Sequence, residues 1–522
     1  MGNVQGSNDP EKPAMTVLST GQEPIQEFDY QIGLSRLKEA VISSHFMDAV
    51  ARDRTMQPYD PQTLASRSLT IAPSAVDRLL IPILVDAARR FGKERAAAAA
   101  ERAGKHCQAY GLANAADIGE AEIITEVMFD RQFSRKAGTT CSRRLVRDRI
   151  DARLKQGRTI EMVIPALPFK ITSPLKTRGE MPDLAEVGFL LSLYEIALAI
   201  ESVPQRDAPP ARKLSARFVV VSDGLRFASL ANVPVETVAR YRDALGEWIS
   251  RLGLTEHVVV EDYRELLQRR LPARTLAEKR RIADAARTLY EDVLGPVFDP
   301  CAMERTFAAS RMIEPDSEKE NADGRFVSLL RSLVYTINYR TLDALELPAS
   351  AKYDLYRELT STLFEPFDDA AFVAGSLIRK EAVRRAMLQE VWHAAIDYMA
   401  EIKSDRDLEE DPVLACLPGA IRWTIHAKAG QFAIATPSVE GTMVQPWAGT
   451  AVFRPTGTGP VRLCSFPVLG LEGGQAVPVV VSSPSGDAGA QPLFYIDRKL
   501  EAGSAEAFLS ELASRLTRRR LK

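Results

Sequence analysis

The sequence predicts an α/β fold: a Rossmann-like, mostly parallel sheet flanked by helices, with a helical region and a β-rich C-terminal part. Three observations predict it. Between residues 159 and 263, apolar β-branched runs alternate with helix-length amphipathic stretches, as βαβ units do. Charged, helix-patterned stretches lie before and after that core. From about residue 416, short β-branched runs are split by Gly and Pro.

Residues 1–28, rich in Gly, Asn, Ser, Pro and Glu, read as a disordered tail. A helical region spans 29–158. Val76, Leu79, Leu80, Ile83, Leu84 and Ala87 recur at helical spacing, so a helix is expected over 76–112, with Pro82 kinking it or marking its first turn. A second helix is expected over Glu120 to Lys155. The α/β core, 159–263, opens with a strand over Thr159 to Leu167. A helix follows over Asp183 to Val203, with Leu184, Val187, Leu190, Leu191, Tyr194 and Leu198 toward a core. Pro204 to Lys213 reads as a loop and Ala216 to Val221 as a strand ending at Ser222-Asp223-Gly224. Another helix is expected over Val235 to Leu252, and another strand over His257 to Val260. Residues 264–410 read as mainly helical, with a polar break at Glu314 to Gly324. In 411–522, strands are expected at Ala420 to His426, Gln431 to Thr436, Thr450 to Arg454 and Ala476 to Ser482. A final helix is expected over Ser504 to Leu516, before Arg518-Arg519-Arg520.

The chain has 522 residues, enough for two or three domains, and a net charge of −2 with a pI near 6.3. That balance lacks the basic footprint of a nucleic-acid partner. No apolar run approaches the ~20 residues that cross a bilayer, and the N-terminus has no basic-then-apolar leader pattern. Five cysteines lie far apart with no Cys-x-x-Cys, so reduced thiols and a cytoplasmic location are expected. The five histidines never cluster, so no metal site is expected from local sequence.

The charge excess is local. From Arg131 to Glu180 there are thirteen Lys or Arg against four Asp or Glu. Within this stretch, Lys170, Lys176 and Arg178 follow the strand that ends at Leu167 and precede a helix. Fixed cations at a loop-to-helix junction suit a small phosphate; a solvated basic loop would show the same spacing. Pro182-Asp183-Leu184-Ala185-Glu186 has the form of a capping box, with Asp183 at the N-cap and Glu186 at N3. A cap does not preclude a site, because the helix dipole favours anions there. Asp223 stands at a strand's carboxyl end, where such sheets bind ligands, and Gly224 beside it permits close backbone approach. A plain strand-to-loop turn would look alike. Arg422, Thr424 and His426 share one strand face, and an imidazole titrates near neutrality, so a cation and an imidazole on that face suit a phosphate or a carboxylate. Ser222-Asp223-Gly224 is not a Gly-rich dinucleotide loop, so no nucleotide cofactor is expected.

Five segments then combine. Leu167-Pro168-Phe169-Lys170, Ser173 to Gly179, Pro182 to Glu186, Ser222 to Phe227 and Ile421 to His426 occur in that order. Together they closely resemble the isocyanide (isonitrile) synthases, grouped with the pyoverdine/dityrosine biosynthesis proteins. The resemblance covers about residues 76–455. It implies conversion of the α-amino group of tyrosine or tryptophan to an isocyanide, with ribulose 5-phosphate giving the carbon, and no cofactor. It implies Asp223, His426 and Glu186 as catalytic, and Lys170, Lys176, Arg178 and Arg422 at the phosphate. It also implies Asp183, Ser222 and Gly224 as other substrate contacts. Small molecules are the partners expected, with neither nucleic acid nor membrane. In one place the chain departs from the pattern: Pro446-Trp447-Ala448-Gly449 stands where members commonly carry Pro-Trp-His-Gly. Two alternatives stay open, a non-catalytic sugar-phosphate or amino-acid sensor and an enzyme giving an N-formyl product.

Overall fold

The structure, a computed structural model, describes residues 68–295, Leu333 and 381–517, except 110–117, 136–141, 171–176, 178, 206–213, 232, 426–430, 437–443, 456–459, 467–470, 472–475, 483–490 and 501–502. The N-terminal tail, Lys176, Arg178, the Glu314 to Gly324 break, His426 and Arg518-Arg519-Arg520 lie outside the described residues, as does most of the Pro204 to Lys213 loop.

Strand β1 (Leu69–Ile71) leads into a short turn of helix and a single π-helical turn, Val76–Leu80, before α1 (Ile81–Ala109). Pro82 lacks the N–H that would bond the preceding turn, and its ring crowds that turn, so the backbone widens there. The helix expected over Glu120 to Lys155 is instead two, α2 (Glu120–Met128) and α3 (Arg143–Lys155), with β2 (Ser134–Arg135) between them. Asp130 stops α2, its Oδ1 taking the Gln132 N–H at 2.8 Å, and Ser142 caps α3. Neither signal stands out in a stretch whose charges keep helical spacing.

Then come β3 (Ile160–Pro165), α4 (Leu184–Glu201), β4 (Ala216–Ser222), α5 (Gly224–Phe227), α6 (Val235–Arg251), β5 (Val258–Asp262), α7 (Tyr263–Arg270) and α8 (Ala273–Leu294). After α9 (Glu381–Arg406) and α10 (Pro412–Cys416) follow β6 (Ile421–Thr424) and β7 (Phe432–Ile434). The chain closes with β8 (Thr450–Pro455), β9 (Val461–Phe466), β10 (Ala476–Val481), β11 (Pro492–Asp497) and α11 (Ala505–Arg515).

The core sheet runs β2-β7-β6-β3-β4-β5. All its pairings are parallel except β2 with β7 at the edge. From β3 the order runs through β4 to β5 on one side and through β6 to β7 on the other. The reversal between β3 and β6 is the switch point at which doubly wound sheets open a ligand crevice. Side chains alternate strictly: Met162, Ile164, Phe218 and Val220 pack with α4 and α6, while Val163, Val219 and Val221 pack with α7 and α10. Both faces are covered, which is why these strands read as unbroken apolar runs.

A second sheet runs β1-β10-β11-β8-β9, joining the start of the described chain to its end. Helix α4 lies between the two sheets, touching β4 on one side and β8, β9 and β11 on the other. Sixteen of its eighteen residues are buried, so it is apolar all round rather than along one stripe.

Candidate active site

The carboxyl end of β3 is held in an unusual path. Leu167 takes a left-handed conformation, φ 56°, which a branched side chain rarely adopts. The Ser222 hydroxyl donates to the Leu167 carbonyl at 2.9 Å and holds it there. At Gly224 an added Cβ would lie 2.0 Å from the Pro168 carbonyl oxygen. Only glycine lets β4 run this close to the loop leaving β3. Ser222 and Gly224, expected to contact substrate, both shape this loop.

The loop delivers Lys170 into a closed charge cluster. Its Nζ sits 2.8 Å from Asp183 Oδ2 and 3.0 Å from Glu186 Oε2, and the residue is 1% exposed. The capping box is present: Asp183 Oδ1 accepts the Ala185 N–H, and Glu186 Oε2 accepts the Asp183 N–H. Tyr241 donates to Glu186 Oε1 at 3.2 Å, and Thr450 donates to Asp183 Oδ2 at 2.8 Å. Cap and cluster are thus one object. Burial pushes the Glu186 carboxyl up to about 8, against the pull of Lys170. Burial alone would lower the Lys170 ammonium, but Asp183 and Glu186 outweigh it and raise it. Burial, with Glu186 beside it, holds the Tyr241 phenol well above its usual range. Lys170, which the sequence placed among the cations of the phosphate loop, is thus paired with Asp183 and Glu186.

A second network closes the ends of β4 and β5. Arg226 binds Glu401 at 2.9 Å and Asp405 at 2.6 Å, and Lys279 reaches the same two carboxylates at 3.1 Å each. Tyr263 donates to Asp405 at 2.5 Å, and the Phe227 and Tyr398 rings stack with centroids 3.9 Å apart. Asp223 stands before this network. It keeps part of its surface open, yet burial pushes its carboxyl up to about 6 although Arg226 pulls it down. Arg422 lies opposite Val163 on the reversal strand, 3.7 Å from Asp411, and burial lowers its guanidinium.

A cavity of about 130 Å³ opens beside the first cluster. Lys170, Asp183 and Thr450 line it, with Gln491, Leu493 and Tyr495 of the second sheet as its far wall. The turn Pro446–Ala448 feeds this wall: Trp447 meets Phe189 of α4 edge to face at 6.2 Å, and Thr450 follows two residues on. Ala448 is half-buried in that turn. Gly449 is required next to it, since a Cβ there would lie 2.6 Å from Val444 and 2.7 Å from the Phe466 carbonyl.

The structure therefore gathers Lys170, Asp183 and Glu186 into one cluster and sets Asp223 and Arg422 at the neighbouring strand ends. Sequence reading missed Tyr241 and Thr450 in the first group, and Arg226, Tyr263, Lys279, Glu401 and Asp405 in the second. Arg226 was visible in Ser222-Asp223-Gly224-Leu225-Arg226-Phe227, but its partners lie about 175 residues away and carry no local signal. Among the described residues no group of His, Cys, Asp and Glu is arranged to hold a metal ion. No described helix is long and apolar enough to cross a membrane.

The chain has a doubly wound α/β sheet with buried charge clusters at its carboxyl ends, beside the switch point where such sheets open a ligand crevice. The family described as pyoverdine/dityrosine biosynthesis protein matches residues 150–318, which hold Lys170, Asp183, Glu186 and Asp223. Two curated relatives are L-tyrosine isonitrile synthases, from Xenorhabdus nematophila and Pseudomonas aeruginosa. Each is 34% identical over 107 residues, 20% of this chain. The match spans 30% of the length of those relatives. The crystal structure of the PvcA protein from Pseudomonas aeruginosa aligns with a TM-score of 0.42 and 18% identity, over 72% of this chain and 99% of that one. Residues 150–318, about a third of the chain, are thus similar to the pyoverdine/dityrosine biosynthesis proteins.

Proposed function

We propose that the protein is a cytoplasmic isocyanide synthase, which converts the α-amino group of tyrosine or tryptophan to an isocyanide with ribulose 5-phosphate as carbon donor. One observation carries this reading: the segment matched by the family includes both the first charge cluster and Asp223, at the carboxyl ends of β3 and β4. The amine condenses with the sugar ketone, phosphate leaves, and carbon–carbon cleavage leaves one carbon on nitrogen.

Each step needs a proton placed or removed. Lys170 stays an ammonium beside its carboxylates, so it acts as a fixed donor toward oxygen charge rather than as a nucleophile. Asp183, at the cavity edge, holds that donor from the front, and Glu186 holds it from behind. With its carboxyl near 8, Glu186 keeps a proton at neutral pH and feeds the cluster from within. Asp223 takes the substrate ammonium or its proton. Lys176 and Arg178 take the phosphate, and His426 is the imidazole available in place of the one absent at Ala448.

The test is mass spectrometry of the purified protein with ribulose 5-phosphate and each aromatic amino acid in turn. An isocyanide product is expected. An N-formyl product, or binding without turnover, overturns the reading. Ala448 bears on rate. The family's imidazole at this turn, if a proton shuttle, accounts for roughly 10²–10⁴-fold. Ala448→His should raise isocyanide formation markedly; no gain, with His426→Ala harmless, places the shuttle elsewhere.

A further inference from the structure

Arg422 carries a charge into the interior of a sheet whose two faces are otherwise packed with apolar side chains. Its Nε and Nη1 are buried and meet no hydrogen-bond acceptor among the described residues. Asp411, its ion-pair partner, is 3.7 Å away, too far for a hydrogen bond. Buried charged donors left unpaired are costly, and such a group calls for an absent partner. Arg226 and Lys279 are paired with Glu401 and Asp405, and Arg270 donates to the Cys416 carbonyl. Arg422, at the reversal between β3 and β6, keeps open donors among the described residues. Asp223 completes the arrangement: its carboxylate caps no helix N–H, part of it faces solvent, and its charge acts on Arg422.

We propose that Arg422 and Asp223 form a clamp for a free α-amino acid, the guanidinium taking the α-carboxylate and Asp223 the α-ammonium. This rests on the proposed reading of the protein as an enzyme acting on an amino acid. A guanidinium fork matches a carboxylate with two parallel bonds. The surroundings argue against phosphate, the ligand that the sequence assigned to Arg422. Arg226, Lys279, Arg422 and Arg270 face Asp223, Glu401, Asp405, Asp411 and Asp262, one carboxylate in excess. A phosphate dianion would add to that excess, whereas a zwitterion adds no net charge.

The test uses the full-length protein and calorimetric titration with three ligands: tyrosine, tyramine without the carboxylate, and hydroxyphenylpropionate without the amine. The matching indole compounds serve if tryptophan binds better. Arg422→Gln should weaken tyrosine by roughly tenfold or more and leave tyramine unchanged. Asp223→Asn should weaken tyrosine and tyramine alike and leave hydroxyphenylpropionate unchanged. Arg422→Lys keeps the charge and loses the fork, so it gives the same pattern, smaller, if the Gln variant does not fold. Ribulose 5-phosphate is titrated in parallel. If Arg422→Gln spares tyrosine and weakens ribulose 5-phosphate, Arg422 is a phosphate residue and the clamp is wrong. If it weakens tyrosine and tyramine equally, Arg422 is a structural cation and the clamp is wrong again. A wild-type protein that binds no α-amino acid sinks the proposed function itself, and the clamp with it.

Discussion

A lysine ammonium shut away from water persists only beside carboxylates, and Lys170 has two of them within 3.0 Å. Replacing Lys170 with Met would leave the buried Asp183 carboxylate with no cation. Removing one side of a buried pair costs about 3–5 kcal/mol, so urea unfolding of Lys170→Met should show a loss of that size. Adding Asp183→Asn to that variant should restore part of it; no recovery would mean that the unpaired carboxylate is not the cause. The same residues set a pH profile. In the proposed reaction Asp223 works ionised and gains its charge as pH rises through about 6, whereas Glu186 works protonated and loses its proton through about 8. Turnover per bound substrate pair should rise through the first value and fall through the second. Glu186→Gln should flatten the alkaline limb alone; a limb that survives belongs to another group. Stability follows the same sign. The folded Glu186 carboxyl titrates above its unfolded value of 4.5, so what it contributes is present below 4.5 and lost as pH rises toward 8.

At the scale of the element, the strand ends explain what could be read and what could not. The cap at Asp183 was legible because Asp and Glu three residues apart before an apolar run have one common use. Strands β3 and β4 were legible because burial on both faces leaves only Glu161 and Arg217, near their starts, to interrupt the apolar run, and β5 because it opens on three successive valines. Strands β1, β9 and β11 were not. The first is three residues long, and β9 carries Arg462 and Ser465 as buried residues, which breaks the apolar pattern. The Thr450 bond to Asp183 spans 267 residues and leaves no trace in either segment. Gly224 was noticed for the wrong contact: its missing side chain makes room for the Pro168 carbonyl, 2.0 Å from where a Cβ would stand. Gly224→Ala must push β4 off that loop, at about 1–3 kcal/mol or more. Thermal unfolding checks this, and an unchanged midpoint would show that the loop yields freely.

Over the whole molecule, α4 is the shared core of two sheets, and the chain's last strands act as its outer cover. Leu463 of β9 reaches within 3.4 Å of the position a Cβ would take on Gly188 of α4, which shows how close the second sheet lies. This gives the C-terminal segment, which the family resemblance left unexplained, two tasks: it buries α4 and walls the cavity with Gln491, Leu493 and Tyr495. Deleting residues 457–522 would bare a helix that is apolar on every side, so the truncated protein should aggregate in light scattering. A monodisperse, folded product would contradict that role. In the proposed reaction one carbon of a sugar phosphate ends on an amino-acid nitrogen, and carbon-13 labelling follows that carbon. Ribulose 5-phosphate labelled at every carbon is incubated with the protein and unlabelled tyrosine or tryptophan, and the product is read by carbon-13 resonance. A single labelled carbon bonded to nitrogen as an isocyanide is expected; a labelled formamide, or label remaining wholly in the sugar, would rule the reaction out.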